Sequence, residues 1–182
     1  EKNIGIGYSA LSGITTGDGN VAVGYSAGYT LTTSSNNVLI GDAAGEVLDH
    51  TDADGTVAIG RSALGALTSG ARNIAVGYQS LTTNTTGTDN VSIGYSAMSS
   101  ATAGNATNNI AIGSYALDAT AGNGSTGNIA IGKNALTAQT SGTANVAIGH
   151  LAAQSTVTGQ GNVAVGYNAM ETASHNDSDY NT

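Results

Sequence analysis

The 182-residue sequence predicts an all-β fold, a parallel β-solenoid of about ten coils of 17–19 residues each. Three observations predict it. A five-residue phrase of Asn, a β-branched residue, a small residue, a β-branched residue and Gly returns ten times, starting at Asn3, Asn20, Asn37, Thr56, Asn73, Asn90, Asn109, Asn128, Asn145 and Asn162. The steps between starts are 17, 17, 19, 17, 17, 19, 19, 17 and 17 residues, and a near-fixed period of this size marks stacked supersecondary units. Finally, 27 Gly with no Pro, Cys, Trp or Phe removes the large aromatics that fill globular cores, so a core has to be built from small side chains.

The phrase itself reads as a strand. Val21 and Val23, Ile74 and Val76, and Ile129 and Ile131 flank a small residue, a period of two that puts the branched pair on one face. The residue between them is Ala in seven units and Gly5, Leu39 or Ser92 in the others. The second face is thus also apolar and nearly flat, and on a lone rod it is expected to be left exposed. The Gly that always follows (Gly24, Gly77 and Gly132, for example) predicts a positive-φ corner or a close backbone approach. Beyond it, phrases such as Gly132-Lys133-Asn134-Ala135-Leu136 return apolar residues to the core.

About twelve residues after each Asn comes a hydroxyl column, Thr15, Thr32, Thr68, Thr85, Thr102 and Thr140, commonly followed by Thr or Ser and then Gly. It predicts a second short β segment and a second turn. Because the phrase recurs with one polarity, the units stack in parallel, like on like. Stacking yields Val and Ile ladders, a Tyr column (Tyr8, Tyr25, Tyr78, Tyr95, Tyr167) and an Asn ladder (Asn20, Asn73 and Asn128 among its rungs), in which amides bond along the axis and to the bend. Thr56, the one exception, is expected to keep an acceptor in place. The two-residue insertions fall in stretches such as Asp49 to Gly55 and Gly122 to Gly127, lengthening a loop without shifting the register. Residues 1–170 form the array, and 171–182 a polar tail or the start of a following segment. The first coil begins at Asn3, so an upstream extension is expected.

Charge narrows the partners. Twelve acidic residues against Lys2, Lys133, Arg61 and Arg72 give a net charge of -8, which disfavours nucleic acid and anionic membrane. No apolar run approaches the 18 or so residues of a membrane span, so membrane insertion is not expected, and without cysteine there is no disulfide framework.

The phrases Asn20-Val21-Ala22-Val23-Gly24-Tyr25-Ser26-Ala27, Asn73-Ile74-Ala75-Val76-Gly77-Tyr78 and Asn162-Val163-Ala164-Val165-Gly166-Tyr167-Asn168-Ala169-Met170 resemble the head repeats of YadA-like trimeric adhesins. With the Thr-Thr-Gly spacer they resemble still more the related repeats of phage tail fibres. The resemblance covers residues 3 to about 170. It implies a left-handed parallel β-roll in each chain and three chains packed around a common axis, a homotrimeric rod. The function it implies is that of a structural and adhesive fibre segment: part of a phage tail fibre projecting a receptor-binding tip for host attachment, or alternatively the head of a bacterial trimeric surface adhesin. Its partners would be its own copies and a cell-surface glycan or protein receptor, and its place extracellular, on a virion or a bacterial surface. Family head repeats are often shorter than the 17 and 19 residue units here.

Residues with chemistry are sparse. His50, His150 and His175 are the only histidines, none paired at ligand spacing. His150 takes the Tyr place in its column, so a threefold assembly would present it three times. Asp49, Asp52, Asp54 and Gly55 resemble the start of a calcium loop, but an EF-hand alignment puts His50 first and Arg61 twelfth. His150, Asp52 and Asp54 are therefore the metal candidates, each set against a plain surface reading. The tail from His175 to Tyr180 could hold a metal or contact a receptor, and reads more simply as a polar run. No nucleophile elbow occurs, and Gly122-Asn123-Gly124-Ser125-Thr126-Gly127 lacks the Lys of a phosphate loop. Neither catalysis nor a cofactor is expected. An ice-binding solenoid would need a flat Thr array, yet Thr15-Thr16 and Thr85-Thr86 are adjacent and face opposite ways. A carbohydrate-cleaving solenoid would need paired carboxylates, and Asp52, Asp54, Asp177 and Asp179 offer no evident pair. Asn84, Asn90, Asn105, Asn123 and Asn176 lie in glycosylation sequons, as many Asn, Ser and Thr residues produce by chance.

Overall fold

The computed structural model describes residues 2–48, 53–100, 106–119, 125–155 and 158–170. Three-residue strands follow each ladder position: β1 (Ile4–Ile6), β2 (Val21–Val23), β3 (Val38–Ile40), β4 (Val57–Ile59), β5 (Ile74–Val76), β6 (Val91–Ile93), β7 (Ile110–Ile112), β8 (Ile129–Ile131), β9 (Val146–Ile148) and β10 (Val163–Val165). They form one parallel sheet in sequence order, which makes the chain a β-solenoid. The 19-residue steps leave the register untouched, since Val38 pairs with Val57, Val91 with Ile110 and Ile110 with Ile129. The insertions therefore do lie outside the strand register, although 49–52 and 122–124 themselves fall outside the described residues, as does the tail from 171.

The strand faces are the reverse of what the sequence suggested. The flat column is the one inside: Ala22, Leu39, Ala58, Ala75, Ala111 and Ala130 are completely buried. The branched pairs, including Val21, Val23, Ile74, Val76, Ile129 and Ile131, point outward and are half-buried or exposed. The cause is the supply of large side chains from the rest of the coil. Leu31, Leu48, Leu64, Leu67, Leu81, Met98, Leu117 and Leu136 fill the interior, and the space left opposite them suits a methyl group.

Two local exchanges show how tightly that volume is set. Coils two and three carry Gly28 and Gly45 where the others, apart from Ala153 in coil nine, carry Leu or Met, and in coil three Leu39 enters from the strand instead of Ala. A Cβ built on either glycine would come within 2.8 Å of a Leu39 methyl. In coil six the strand residue is Ser92, and it faces Ser80, itself a replacement for Ala. Ser80 Oγ donates to Ser92 Oγ at 2.8 Å and Ser92 Oγ to the Ala97 carbonyl at 2.9 Å. This buried pair is satisfied internally, which keeps its cost low.

The expected second strand is absent from the described residues. Only an isolated bridge, Thr107 with Thr126, occurs there. Inter-coil bonding nevertheless continues around the coil: Ser26 N–H donates to the Tyr8 carbonyl, Gly28 N–H to Ala44 and Thr15 N–H to Thr32, all at 2.9–3.0 Å. At the hydroxyl column successive N–H groups converge on one carbonyl instead of alternating along a ladder, Thr15, Thr16 and Gly17 all donating to Thr32 at 2.9, 3.1 and 3.2 Å. Earlier in the coil the backbone is left-handed. The sixth and eighth residues after the ladder Asn take positive φ in coil after coil, as at Gln79 and Leu81, Ser96 and Met98, and Asn134 and Leu136. Left-handed conformation costs a non-Gly residue roughly 1–2 kcal/mol, so burial of the Leu and Met side chains has to offset it.

Corner and ladder behave as the sequence predicts. Gly24 and Gly77 have φ of +142° and +134°, and a Cβ on either would intrude on the carbonyl of Gly41 or Gly94 in the next coil. In the Asn ladder, Asn109 N–H and Nδ2–H both donate to Asn90 Oδ1, at 3.0 and 3.2 Å, while Nδ2 also reaches the Ser125 carbonyl at 2.9 Å. Asn128 repeats the arrangement on Asn109, and both side chains are fully buried. Thr56 departs from expectation. Its N–H takes the Asn37 Oδ1 acceptor at 2.8 Å, but its own hydroxyl is buried without a partner, so the acceptor passes nothing on to Asn73.

Candidate interaction surfaces

The outer sheet face carries two files of Val and Ile, one from the first and one from the third residue of each strand. No polar side chain interrupts them. Ile40, Ile74, Ile112 and Ile148 are each 37–38% exposed, unusual for β-branched apolar residues in the middle of a sheet. Nine inter-strand steps of about 4.8 Å and a width of ~10 Å give an apolar strip of roughly 400 Å², as large as the biggest patch on a typical monomer.

Beside the strip, past the corner Gly, runs the Tyr column. Tyr8 stacks on Tyr25 with centroids 5.4 Å apart, and Tyr78 on Tyr95 at 5.2 Å. Tyr115, one residue out of column, meets Tyr95 edge-on, and a hydrogen bond between the two raises the Tyr115 hydroxyl above the ordinary tyrosine range. Tyr is replaced in the column by Asp42, Arg61, Ser114, Lys133 and His150, the first two forming an exposed ion pair at 3.4 Å. The Arg61 guanidinium lies 6.0 Å from the Tyr78 ring centroid. His150 occupies the Tyr place as the sequence implies, its ring 5.5 Å from Tyr167.

The metal candidates are not brought together. Asp52 lies outside the described residues. Asp54 is half-buried and its Oδ1 accepts the Ser35 N–H at 2.6 Å, while His150 stands exposed far along the array. Among the described residues no three His, Cys, Asp or Glu side chains form a cluster suited to an ion. No helix there is long and apolar enough to cross a membrane. The hydroxyl column is engaged with its neighbours: Thr15 and Thr68 donate to the carbonyls of Thr32 and Thr85 in the next coil, each at 2.9 Å. Thr102 lies outside the described residues. Of the sequons, Asn84 and Asn90 are fully buried, closed to a glycan in the folded chain, and Asn105, Asn123 and Asn176 lie outside the described residues.

One concavity was missed by sequence reasoning. On the other side of the Asn corner from the Val and Ile files, an open groove of about 760 Å³ runs across successive coils, with Gly55 and Ala71 among Asn36, Asp54, Ser69, Arg72, Thr86 and Thr88. The backbone beneath it is a ladder: Gly55 N–H donates to Ser35, Arg72 N–H to Asp54 and Asp89 N–H to Ala71, each at 3.1 Å. Arg72 is held over it by two bonds to Asp89, Nε to Oδ1 at 2.6 Å and Nη2 to Oδ2 at 2.8 Å. That contact holds the Asp89 carboxyl below its ordinary range and raises Arg72. Its residues come from coils 17 or 19 positions apart, so no local motif announces it. The one available signal was the cluster of charge changes at Asp54, Arg72 and Asp89.

No protein-family model, curated protein or solved structure matches the chain.

Proposed function

We propose that the chain is a structural and adhesive fibre segment, three copies of which pack their Val and Ile files around a common axis to form a stiff, left-handed rod. The observation that carries this reading is the uninterrupted apolar strip on the outer sheet face. At about 25 cal/mol per Å², leaving some 400 Å² in water would cost each copy roughly 10 kcal/mol, an upper bound that strongly favours association. A cyclic arrangement closes such an interface. The count of three comes from the resemblance to trimeric adhesin and tail-fibre repeats.

Stiffness is the mechanism. Each coil is tied to the next by strand and turn bonds and, at every step but that from Thr56 to Asn73, by a ladder amide, so load passes along the axis through hydrogen bonds. Such a rod holds a receptor-binding tip away from the particle that bears it. The Thr-Thr-Gly spacer and phrases such as Tyr8-Ser9-Ala10-Leu11 favour a phage tail fibre, extracellular and part of the virion, over a bacterial adhesin head. Partners are the sister copies and a cell-surface glycan or protein receptor.

Sedimentation equilibrium of the chain tests the assembly. The mass expected is three chains, and Ile93→Asp with Ile112→Asp should release monomers that keep their strand signal in circular dichroism. A stable, folded wild-type monomer at low micromolar concentration would overturn the proposal.

A further inference from the structure

We infer that the groove beside Arg72 binds a short neutral saccharide, a reading that rests on the adhesive role and gives it a site. Its volume of about 760 Å³ falls within the range of small-molecule sites, but its lining is that of a polyol receptor. An amide at Asn36, a carboxylate at Asp54, a guanidinium at Arg72 and hydroxyls at Ser69, Thr86 and Thr88 surround the methyl of Ala71 and the bare backbone of Gly55. Planar groups with paired donors or acceptors match vicinal hydroxyls, and the small residues leave room for the C–H face of a sugar ring.

Charge selects the neutral class. Both bonds from Arg72 go to one carboxylate, Asp89, so the guanidinium is already neutralised and offers its remaining N–H groups as donors, not a net positive field. Asp54 stands in the same groove with Oδ1 engaged by Ser35 and its second oxygen available to accept from a hydroxyl. An anionic sugar would meet that carboxylate and a chain of net charge -8. The groove also has a rigid base, because the bonds from Gly55, Arg72 and Asp89 fix the backbone of adjacent coils under it.

The test is saturation-transfer NMR and titration calorimetry on the full chain. The probes are neutral trisaccharides of glucose, galactose and mannose, with a sialylated and a sulfated trisaccharide beside them. At least one neutral probe should bind, and Thr86→Trp, which fills the groove from an exposed position, should weaken it about tenfold or more, as should Arg72→Gly, which removes a donor. Arg72 has φ +56°, so glycine fits its backbone. Sedimentation of the same samples separates this site from the fibre proposal, since both variants should keep the wild-type mass. Absence of binding by every neutral probe at about 10 mM, binding of the acidic probes alone, or binding unchanged in both variants would each overturn the inference.

Discussion

The step at Thr56 and the run from Asn73 to Asn162 are two versions of one structure. In the run, each Asn Oδ1 takes two N–H donors from the next rung, as Asn145 does from Asn162 at 2.9 and 3.1 Å. At Thr56 the hydroxyl has no partner, and Asn73 Nδ2 keeps the bond to Gly87 that other rungs make to the equivalent carbonyl and turns to its own coil's Gly70 carbonyl for the second. The sheet does not register the difference, since β4 pairs with β3 and β5 residue for residue. Backbone pairing therefore sets the register, and the amide ladder adds stability to a register already chosen. The two ion pairs among the described residues, Asp42 with Arg61 and Arg72 with Asp89, lie in the coils flanking this step.

Breaking the intact run should have the largest effect. Asn109→Leu keeps the volume but leaves the Asn128 N–H without its acceptor, and takes one of three acceptors from Asn128 Nδ2 and one of two donors from the Ser125 carbonyl, all in the interior. At about 1–3 kcal/mol for the stranded N–H and less for each weakened group, the loss should be about 2–4 kcal/mol, measured by denaturant or thermal unfolding. A loss below about 1 kcal/mol would mean that the amides are incidental to stability.

Much of this architecture was legible in the spacing. The ten ladder positions, the corner Gly and the stacking of Tyr on Tyr follow from repetition alone, because parallel coils place equal positions over one another. Which face of the strand lies inside was not legible. Val-Ala-Val has apolar residues on both sides, and the decision rests on Leu and Met arriving from the turn, as Leu64 and Met98 do. The second strand failed because the Thr column gives no residue-type sign that Thr15, Thr16 and Gly17 share one acceptor, the Thr32 carbonyl of the next coil. The groove escaped notice because Asn36, Asp54, Arg72 and Thr88 meet only once the coils are stacked. The exchange of Leu39 against Gly28 and Gly45 was visible in the sequence but had no meaning until volume tied the three together.

Mending the step sharpens the comparison from the other side. Thr56→Asn gives Asn73 N–H an acceptor on the rung beneath, as Asn73 gives Asn90, and removes a buried hydroxyl with no partner. The expected gain is about 1–2 kcal/mol, seen as a higher unfolding midpoint. Thr56 and Asn109 are three rungs apart, roughly 14 Å, so the two substitutions should add within a few tenths of a kcal/mol. A neutral or destabilising Thr56→Asn would show that the Asn73 amide is better satisfied by Gly70 than by a rung beneath it.

The smallest expected effect concerns the ion pair above the step. Asp89 has its carboxyl lowered below the ordinary value, chiefly by the hydrogen bond from Arg72. A depressed folded-state pKa contributes stability that is present above the unfolded value of about 3.9 and is lost as pH falls through the folded value. Unfolding measured from about pH 5 down to pH 2.5 should therefore fall off less steeply in Asp89→Asn than in the wild type, with the two converging in acid. Because the pair is exposed, the difference should be modest and shrink further in high salt. An unchanged acid limb would mean that Arg72 is held over the groove by the backbone bond to Asp54 alone, and that the step at Thr56 is stabilised by strand pairing without help from charge.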